Sequence, residues 1–208
     1  MKLTDLPHRT LAIVRGRDRE AALRTVLTLA EEGITAAEVS LTTADALWVI
    51  ERARRELGPD AALGAGTVLT AHDAARAADA GAGFLVTPGF VPDLTAEGAV
   101  QLPVLMGALT PSEVIAAVRS GVLAVKLFPA SLGGPAHLEA LRAPFPEVPF
   151  VPVGGIDTEQ AIAFLSAGAV AVGVGSPLIG DAASGGDLAK LRTRAARWRA
   201  ALAGEVAA

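Results

Sequence analysis

The 208-residue sequence contains no cysteine and only three histidines. The absence of cysteine excludes disulfide bonds, thiol nucleophiles and cysteine-ligated zinc. His8 lies near the start of the chain, and His72 and His137 fall in segments with helical patterns, as surface or packing residues commonly do. The sequence has no His-Glu-x-x-His motif, no carboxylates at metal-ligand spacing and no P-loop. We therefore predict a protein that requires neither a metal nor an organic cofactor.

Excess positive charge and long apolar runs are also missing. The formal net charge is -4 and the pI is near 5.4, whereas binding to nucleic acid normally requires a dense basic face. Charged residues and a proline precede the first apolar run, unlike a secretory signal. The most apolar region, 167–180, is interrupted by glycines and by Pro177. The sequence predicts a cytoplasmic protein that binds neither nucleic acid nor a membrane.

Small aliphatic side chains are abundant, since 51% of the residues are hydrophobic but only 4% are aromatic. A chain of this length can bury one sizeable core, so we predict a single domain over residues 1–208. Short apolar runs alternate along the chain with longer segments that have a polar face. The eight runs are 11–15, 36–41, 61–67, 84–88, 104–108, 124–129, 150–155 and 170–176.

Helical patterns separate these runs, and glycines fall where several of the helices should end. They include 19–32, 44–57, 72–80, 111–120, 158–167 and 187–202. Eight strand–helix units with parallel pairing predict an α/β fold, the (β/α)8 TIM barrel with outer helices, in which residues 1–10 cap the bottom. A doubly wound open sheet is the alternative, although no Gly-x-Gly-x-x-Gly follows the first strand.

Lys126 lies inside the apolar run 123–129, where a solvated charge is not expected. Burying an unpaired ammonium is costly, so the lysine either has a partner or becomes a partly neutral amine, which is a nucleophile. Strand alternation puts Lys126 on one face with Phe128, and Glu38 on one face with Ser40. If both faces point into the barrel, nucleophile and general base meet in an apolar interior. A structural buried ion pair is the alternative.

A glycine pair and a glycine–serine pair end the seventh and eighth strands of the predicted barrel. They are Gly154-Gly155 and Gly175-Ser176. Loops after these strands commonly bind phosphate in barrels, through backbone N–H groups and a hydroxyl such as that of Ser176. Glycines placed only for tight turns are the alternative. Together with Lys126 and Glu38, these pairs predict an imine-forming enzyme that acts on a phosphorylated keto acid.

Further candidates end the first, third and fourth strands. Thr67 offers a hydroxyl to a carboxylate after the glycines at 64 and 66, and Pro88 lies in a turn that can form a pocket wall. Arg15 ends the first strand and is a candidate for bidentate binding of the keto acid carboxylate. An arginine at this position is also typical of an ordinary surface residue.

Several motifs follow one another in an order that is specific to one known family. They are Glu38-Val39-Ser40-Leu41, Gly64-Ala65-Gly66-Thr67-Val68-Leu69, Thr87-Pro88-Gly89, Val125-Lys126-Leu127-Phe128-Pro129-Ala130 and Gly154-Gly155-Ile156. Over roughly residues 11–180 the chain resembles the 2-keto-3-deoxy-6-phosphogluconate (KDPG) and 4-hydroxy-2-oxoglutarate aldolase family. The resemblance implies a class I aldolase on a (β/α)8 barrel, generally a homotrimer.

The same resemblance implies roles for individual residues. The lysine that matches Lys126 forms the Schiff base, and the glutamate that matches Glu38 transfers protons. The pyruvate pocket is implied to contain Thr67, Pro88 and Phe128, and the phosphate site to contain Gly154, Gly155, Gly175 and Ser176.

Three positions depart from the pattern of gluconate-type family members. Thr42 stands in place of an arginine, Val153 in place of a threonine and Met106 in place of a proline. Arg15-Gly16 and the segment 127–135 are instead similar to the 2-dehydro-3-deoxy-6-phosphogalactonate aldolase branch. Arg15 is thus a candidate to replace the missing arginine in carboxylate binding.

We predict a Schiff-base aldolase that cleaves a 2-keto-3-deoxy-6-phospho sugar acid reversibly to pyruvate and glyceraldehyde 3-phosphate. The phosphorylated keto acid is the expected small-molecule partner. One alternative is a phosphosugar epimerase or synthase barrel in which Lys126 only offsets substrate charge. Others are the same chemistry on 4-hydroxy-2-oxoglutarate, and a barrel that binds phosphorylated metabolites without catalysis.

Overall fold

The structure, a computed structural model, describes residues 2–203, so Met1 and residues 204–208 of the predicted 1–208 domain lie outside it. Eight strands are present in this range: β1 (Thr10–Val14), β2 (Ala36–Ser40), β3 (Ala62–Gly66), β4 (Leu85–Val86), β5 (Val104–Ala108), β6 (Ala124–Leu127), β7 (Phe150–Pro152) and β8 (Val172–Val174). All neighbours pair in parallel, in the order β7-β6-β5-β4-β3-β2-β1-β8. A parallel bridge between Val153 and Gly173 joins the two ends of this order. The (β/α)8 barrel is thereby confirmed, and the open-sheet alternative is wrong.

Helices surround the barrel, as predicted. They are α1 (Arg19–Glu31), α2 (Ala46–Leu57), α3 (Ala71–Asp79), α4 (Pro111–Arg119), α5 (Gly134–Arg142), α6 (Thr158–Ser166), α7 (Ser176–Ile179) and α8 (Leu188–Leu202). Of these, α5 and the single turn α7 are not among the helices predicted from the sequence. The capping box at Thr110 and Glu113 begins α4 where the sequence indicates it. Within residues 2–203, no helix combines the length and the apolarity needed to cross a membrane.

Alternate strand positions fill two separate cores, as a barrel requires. The barrel interior contains the buried residues Leu11, Ala36, Phe84, Val86, Leu105, Ala124, Val151 and Ala171. The intervening positions, such as Val39, Val125 and Leu127, pack outward against the helices. Lys126 and Glu38 each lie two residues along a strand from an interior alanine, and both are buried. Because strand residues alternate between the two faces of the sheet, Lys126 and Glu38 both point into the barrel.

The N-terminal segment packs under the barrel. Leu3 and Leu6 are buried and belong to the interior cluster, and two short 3-10 turns carry the chain from Leu3 to Arg9. Trp198 Nε1 donates a hydrogen bond of 2.9 Å to Thr10 Oγ1, which ties α8 to the start of β1. This arrangement supports the prediction that residues 1–10 cap the barrel bottom.

The narrow interior accommodates Phe84 because the neighbouring strand has a glycine beside it. A Cβ atom at Gly64 would lie 2.4 Å from the Phe84 ring, and one at Gly173 would lie 2.6 Å from Val153 Cγ2. Real side chains do not tolerate such distances, so the packing of large interior residues depends on these glycines.

We predict that Gly64→Ala lowers the free energy of unfolding by about 1–3 kcal/mol, because the added methyl group overpacks the interior against a ring that cannot move away. Urea unfolding followed by circular dichroism measures the change. Gly89→Ala is the matched control, since a Cβ there meets nothing within 4 Å and the backbone φ is not positive. Equal stabilities of the two variants would contradict this account of the interior.

Candidate active site

Lys126 and Glu38 lie on opposite walls of the barrel. Lys126 is on β6 and Glu38 on β2, which are four positions apart around an eight-stranded barrel. Only 5% of Lys126 and 2% of Glu38 is exposed. No carboxylate oxygen of residues 2–203, those of Glu38 included, lies within 4.0 Å of Lys126 Nζ. The structure therefore contradicts a directly bonded ion pair between the amine and the carboxylate.

Burial favours the neutral forms of both side chains, the Lys126 amine and the Glu38 carboxyl group. Desolvation lowers the pKa of Lys126, and the negative charge of Glu38 opposes that shift, while the positive charge of Arg15 adds to it. Desolvation also raises the pKa of Glu38, against the opposing effects of Lys126 and Arg15. Glu38 Oε2 is buried without a hydrogen-bond partner. A partly neutral amine can attack a carbonyl carbon, and a carboxyl group of raised pKa can exchange protons.

Two glycines make room for these side chains. A Cβ at Gly66, on the strand beside Glu38, would lie 2.6 Å from Glu38 Oε1. A Cβ at Gly107, which pairs with Lys126, would lie 2.3 Å from the Pro88 carbonyl carbon. Gly66 thus provides the space that the carboxyl group occupies, and Gly107 lets Pro88 approach the strand next to the lysine. Gly66 could have been recognised from the sequence by its place in the Gly-Ala-Gly-Thr motif.

Phe128 lies between the lysine and the open cavity. Lys126 Nζ is 5.1 Å from the centre of the Phe128 ring, within the range of a cation–π contact. The ring also lines the cavity at the carboxyl ends of the strands. Phe128 therefore forms a wall shared by the amine and the cavity.

The cavity has a volume of about 300 Å³ and brings together most of the residues predicted from the sequence. Its lining includes Arg15, Phe128, Gly154, Gly155, Gly175 and Ser176. Both Gly154 and Gly155 have positive φ, at 101° and 74°, which other residues rarely adopt. Strand β7 ends at Pro152 rather than at residue 155, and Ser176 begins α7 rather than ending β8. Gly154, Gly155 and Gly175 are thus loop residues at the cavity, and Ser176 is the first residue of α7.

The other predicted site residues are absent from the lining of this cavity, namely Lys126, Glu38, Thr67 and Pro88. Thr67 follows β3 with an unusual positive φ of 59°, and its hydroxyl is 2.8 Å from Ser40 Oγ. Arg15 Nε donates to the same Ser40 oxygen at 3.4 Å. Arg15 therefore connects the cavity to the polar residues at the ends of β2 and β3. The sequence indicates Ser40 only through its position on the same strand face as Glu38.

Pro88 is held by its neighbour Thr87, which is fully buried. The Thr87 hydroxyl accepts a hydrogen bond from the Gly107 N–H at 2.9 Å and donates to the Gly89 carbonyl at 2.6 Å. Met106 packs outward, and its sulfur accepts from the Val91 N–H at 3.2 Å. The methionine found in place of a proline thus anchors the loop after β4.

No metal-binding site is recognisable in the part of the chain that the structure describes. Across residues 2–203, no three side chains of the histidine, cysteine, aspartate or glutamate type cluster as metal ligands would. The chemistry offered by the site consists of an amine, a carboxyl group, hydroxyls and backbone N–H groups.

Fold and site together define a class of protein: a (β/α)8-barrel enzyme whose candidate nucleophile is a buried lysine and whose candidate acid–base group is a buried glutamate. The KDPG and KHG aldolase family model matches residues 5–193. The chain belongs to this family, as the sequence motifs predict. It is therefore an aldolase, a carbon–carbon lyase.

Similar proteins and solved structures agree with this membership. The chain is 41% identical over 152 residues to the 2-dehydro-3-deoxy-phosphogluconate aldolase of Pseudomonas aeruginosa, covering 72% of this chain and 69% of the relative. It is 36% identical over 183 residues to a probable 2-dehydro-3-deoxy-6-phosphogalactonate aldolase of Rhizobium meliloti, covering 86% and 85%. The structure of a KDPG aldolase from Legionella pneumophila, with pyruvate captured as a covalent carbinolamine, superposes with a TM-score of 0.79 at 27% identity, covering 99% of this chain and 95% of that one.

We predict that Arg15→Gln raises the pKa of Lys126, because a positive charge that disfavours the ammonium is removed. Imine formation with saturating pyruvate requires the neutral amine, so its pH midpoint should lie below the usual lysine value of 10.5 in the wild type and move upward in the variant. Borohydride reduction followed by mass spectrometry of the intact protein measures the rate at each pH.

Arg17→Gln is the matched control for charge, since Arg17 is exposed two residues further along. Its midpoint should equal that of the wild type. A midpoint in Arg15→Gln that does not move would contradict the proposed effect of Arg15 on the amine.

Proposed function

We propose that this protein is a class I aldolase that cleaves a 2-keto-3-deoxy-6-phospho sugar acid reversibly to pyruvate and glyceraldehyde 3-phosphate. The observation that carries the proposal is the buried amine of Lys126, which faces a buried carboxyl group across an apolar barrel and is not bonded to it. The Legionella relative, in which pyruvate is captured as a carbinolamine, supports the same chemistry here.

In the first stage, neutral Lys126 attacks the C2 carbonyl of the substrate and forms a carbinolamine. Loss of water gives a protonated imine, which withdraws electrons from the C3–C4 bond. The apolar walls favour the neutral amine before attack. Because the imine is itself the electron sink, the proposed reaction includes no metal or organic cofactor.

In the second stage, Glu38 removes the proton of the C4 hydroxyl, directly or through a water molecule. The C3–C4 bond breaks, its electrons form the enamine of pyruvate on Lys126, and glyceraldehyde 3-phosphate leaves. The proton returns to C3, and water hydrolyses the imine to release pyruvate and the amine. A glutamate of raised pKa suits this role because it must both accept and return a proton near neutral pH.

Residues on both walls of the barrel are available to bind the pyruvate end of the substrate. We assign the keto acid carboxylate to Arg15 and the Thr67 hydroxyl, which approach each other through Ser40. Pro88 and Phe128 supply apolar contacts on either side of Lys126, one over Gly107 and the other at the cavity wall. The carboxylate is thus held by charge and hydrogen bonds, and the methyl end by packing.

The phosphate end fits the loops after β7 and β8. We assign it to the backbone N–H groups of Gly154, Gly155 and Gly175 and to the Ser176 hydroxyl, which line one cavity. Val153 also lines this cavity and presents only methyl groups to it. That position therefore offers neither C4 epimer a hydrogen bond.

The family resemblance implies a homotrimer, and we propose that assembly for this chain. Leu69 and Phe90 follow the adjacent strands β3 and β4, and 53% and 39% of their surfaces are exposed. Burial of such side chains between subunits would be favourable. We also propose a cytoplasmic location, because a multiply charged sugar acid phosphate does not cross a lipid bilayer unaided.

We predict that borohydride reduction in the presence of pyruvate attaches a three-carbon adduct to Lys126. The chain has only two other lysines, Lys2 and Lys190, and both are exposed, so peptide mass spectrometry assigns the adduct without ambiguity. A phosphosugar epimerase or synthase would turn over its substrate without a reducible imine. An unmodified Lys126 peptide would therefore refute the proposed function.

Glu38→Gln separates the two stages of this reaction. The variant keeps the amine and should still be trapped by pyruvate, whereas aldol cleavage should slow by on the order of 10²–10⁴-fold, because general acid–base assistance is lost. A coupled lactate dehydrogenase assay measures pyruvate release. Cleavage at the wild-type rate would show that Glu38 does not transfer the proton.

We predict that both phosphorylated C4 epimers are cleaved with a kcat/KM at least about a hundredfold above that of 4-hydroxy-2-oxoglutarate, since only they use the phosphate site. Ser176→Ala should lower kcat/KM for the phosphorylated substrates and leave that for 4-hydroxy-2-oxoglutarate unchanged. Equal losses for all substrates would contradict the assignment of Ser176 to phosphate.

A further inference from the structure

A buried hydroxyl lies at the centre of a polar cluster to which the proposed mechanism assigns no role. Ser40 is fully buried and follows Glu38 by two residues, so it faces the barrel interior. Its oxygen is 2.8 Å from the hydroxyls of Thr42 and of Thr67 and 3.4 Å from Arg15 Nε. Ser40 on β2 thereby connects the ends of β1 and β3.

The hydrogen-bonding capacity of Ser40 determines which protons remain for a ligand. A serine hydroxyl has one proton and two lone pairs. Arg15 Nε and the backbone nitrogen of Thr42, each 3.4 Å from Ser40 Oγ, can only donate and together use both lone pairs. The single Ser40 proton therefore goes to one of the two threonine hydroxyls, and the threonine that accepts it keeps its own proton for another acceptor.

Thr67 is the threonine whose proton is available for a ligand. Thr42 is exposed and can donate or accept with water, whereas Thr67 is half-buried. Thr67 also has a positive φ of 59°, an unusual conformation for a β-branched residue and one that is common at functional sites. A half-buried hydroxyl proton without a partner is costly, so it favours an acceptor brought by the ligand.

The positive charge of Arg15 in this cluster favours an anionic acceptor over a neutral one. Within residues 2–203, no carboxylate oxygen lies within 4.0 Å of the Arg15 guanidinium. Ser40 follows Glu38 by two residues on β2, and Arg15 lines the cavity whose wall Phe128 shares with Lys126, so the cluster belongs to the same site as the proposed reacting groups. In a 2-keto acid the carboxylate is one bond from the carbon that Lys126 would attack.

We propose that Ser40 is a positioning residue for the carboxylate of the substrate: it accepts from Arg15, donates to Thr67, and so orients the Thr67 proton and the guanidinium toward one carboxylate. This inference rests on the proposed function, since it requires a 2-keto acid at Lys126. Ser40 itself need not contact the substrate, because it acts through Thr67 and Arg15.

The test compares a ketone that has a carboxylate with one that has none. Second-order rates of borohydride-dependent modification of Lys126 are measured with pyruvate and with acetone. Ser40→Ala should lower the rate with pyruvate by about tenfold or more, the effect of losing a hydrogen bond to a charged group, and leave the rate with acetone unchanged. A substitution that only damages the site would lower the rates with pyruvate and with acetone equally, and that result would overturn the proposal.

Two further variants keep the test specific. Thr25→Ala removes an equally buried hydroxyl in α1, far from the cavity, and should change neither rate. Ser40→Thr retains a hydroxyl and should recover the rate with pyruvate. Wild-type protein that is trapped by neither ketone would instead refute the Schiff-base chemistry, so the two failures are distinguishable.

A double variant tests whether Ser40 acts through Thr67. If it does, Ser40→Ala combined with Thr67→Ala should slow trapping by pyruvate about as much as Thr67→Ala alone, since the hydroxyl that Ser40 orients is already absent. Losses that multiply would show that the two hydroxyls act independently and would overturn the proposed role of Ser40.

Discussion

The structure depends on one electrostatic constraint: an amine and a carboxyl group are both buried in an apolar barrel without contacting each other. Each would be costly if charged and alone, and a direct ion pair would remove both from chemistry. Separation on opposite strands keeps them coupled through charge, while desolvation shifts the pKa of each toward its neutral form. Burial thus favours the protonation states from which the proposed nucleophile and the proposed acid–base group would act.

Small residues make this arrangement possible. An interior of eight strands is narrow, and glycines at 64, 66, 107 and 173 leave the space that Phe84, Glu38, Pro88 and Val153 occupy. The large interior side chains near the N-terminal ends form a packed floor together with Leu3 and Leu6. The cavity at the carboxyl ends of the strands is bounded by the backbone of Gly154 and Gly155, whose positive φ values favour residues without a side chain.

The sequence allowed the barrel and the orientation of Lys126 and Glu38 to be predicted, because strand alternation and glycine punctuation are local signals. It did not allow the ends of β7 and β8 to be placed, since apolar residues continue past the last ladder pair into the loops. Nor did it indicate that Ser40 connects Arg15 to Thr67, or that Gly66 accommodates Glu38. Those contacts join residues 25 or more positions apart and arise only when neighbouring strands pair in register.

The pKa of Lys126 is the quantity that tests the proposed site most directly. With only three lysines in the chain, a ¹³C NMR titration of the lysine Cε signals resolves Lys126 from the exposed Lys2 and Lys190 within one sample. The account predicts that the signal which disappears in Lys126→Met titrates at a pH clearly below the usual lysine value of 10.5. A Lys126 signal that titrates near 10.5 would contradict it.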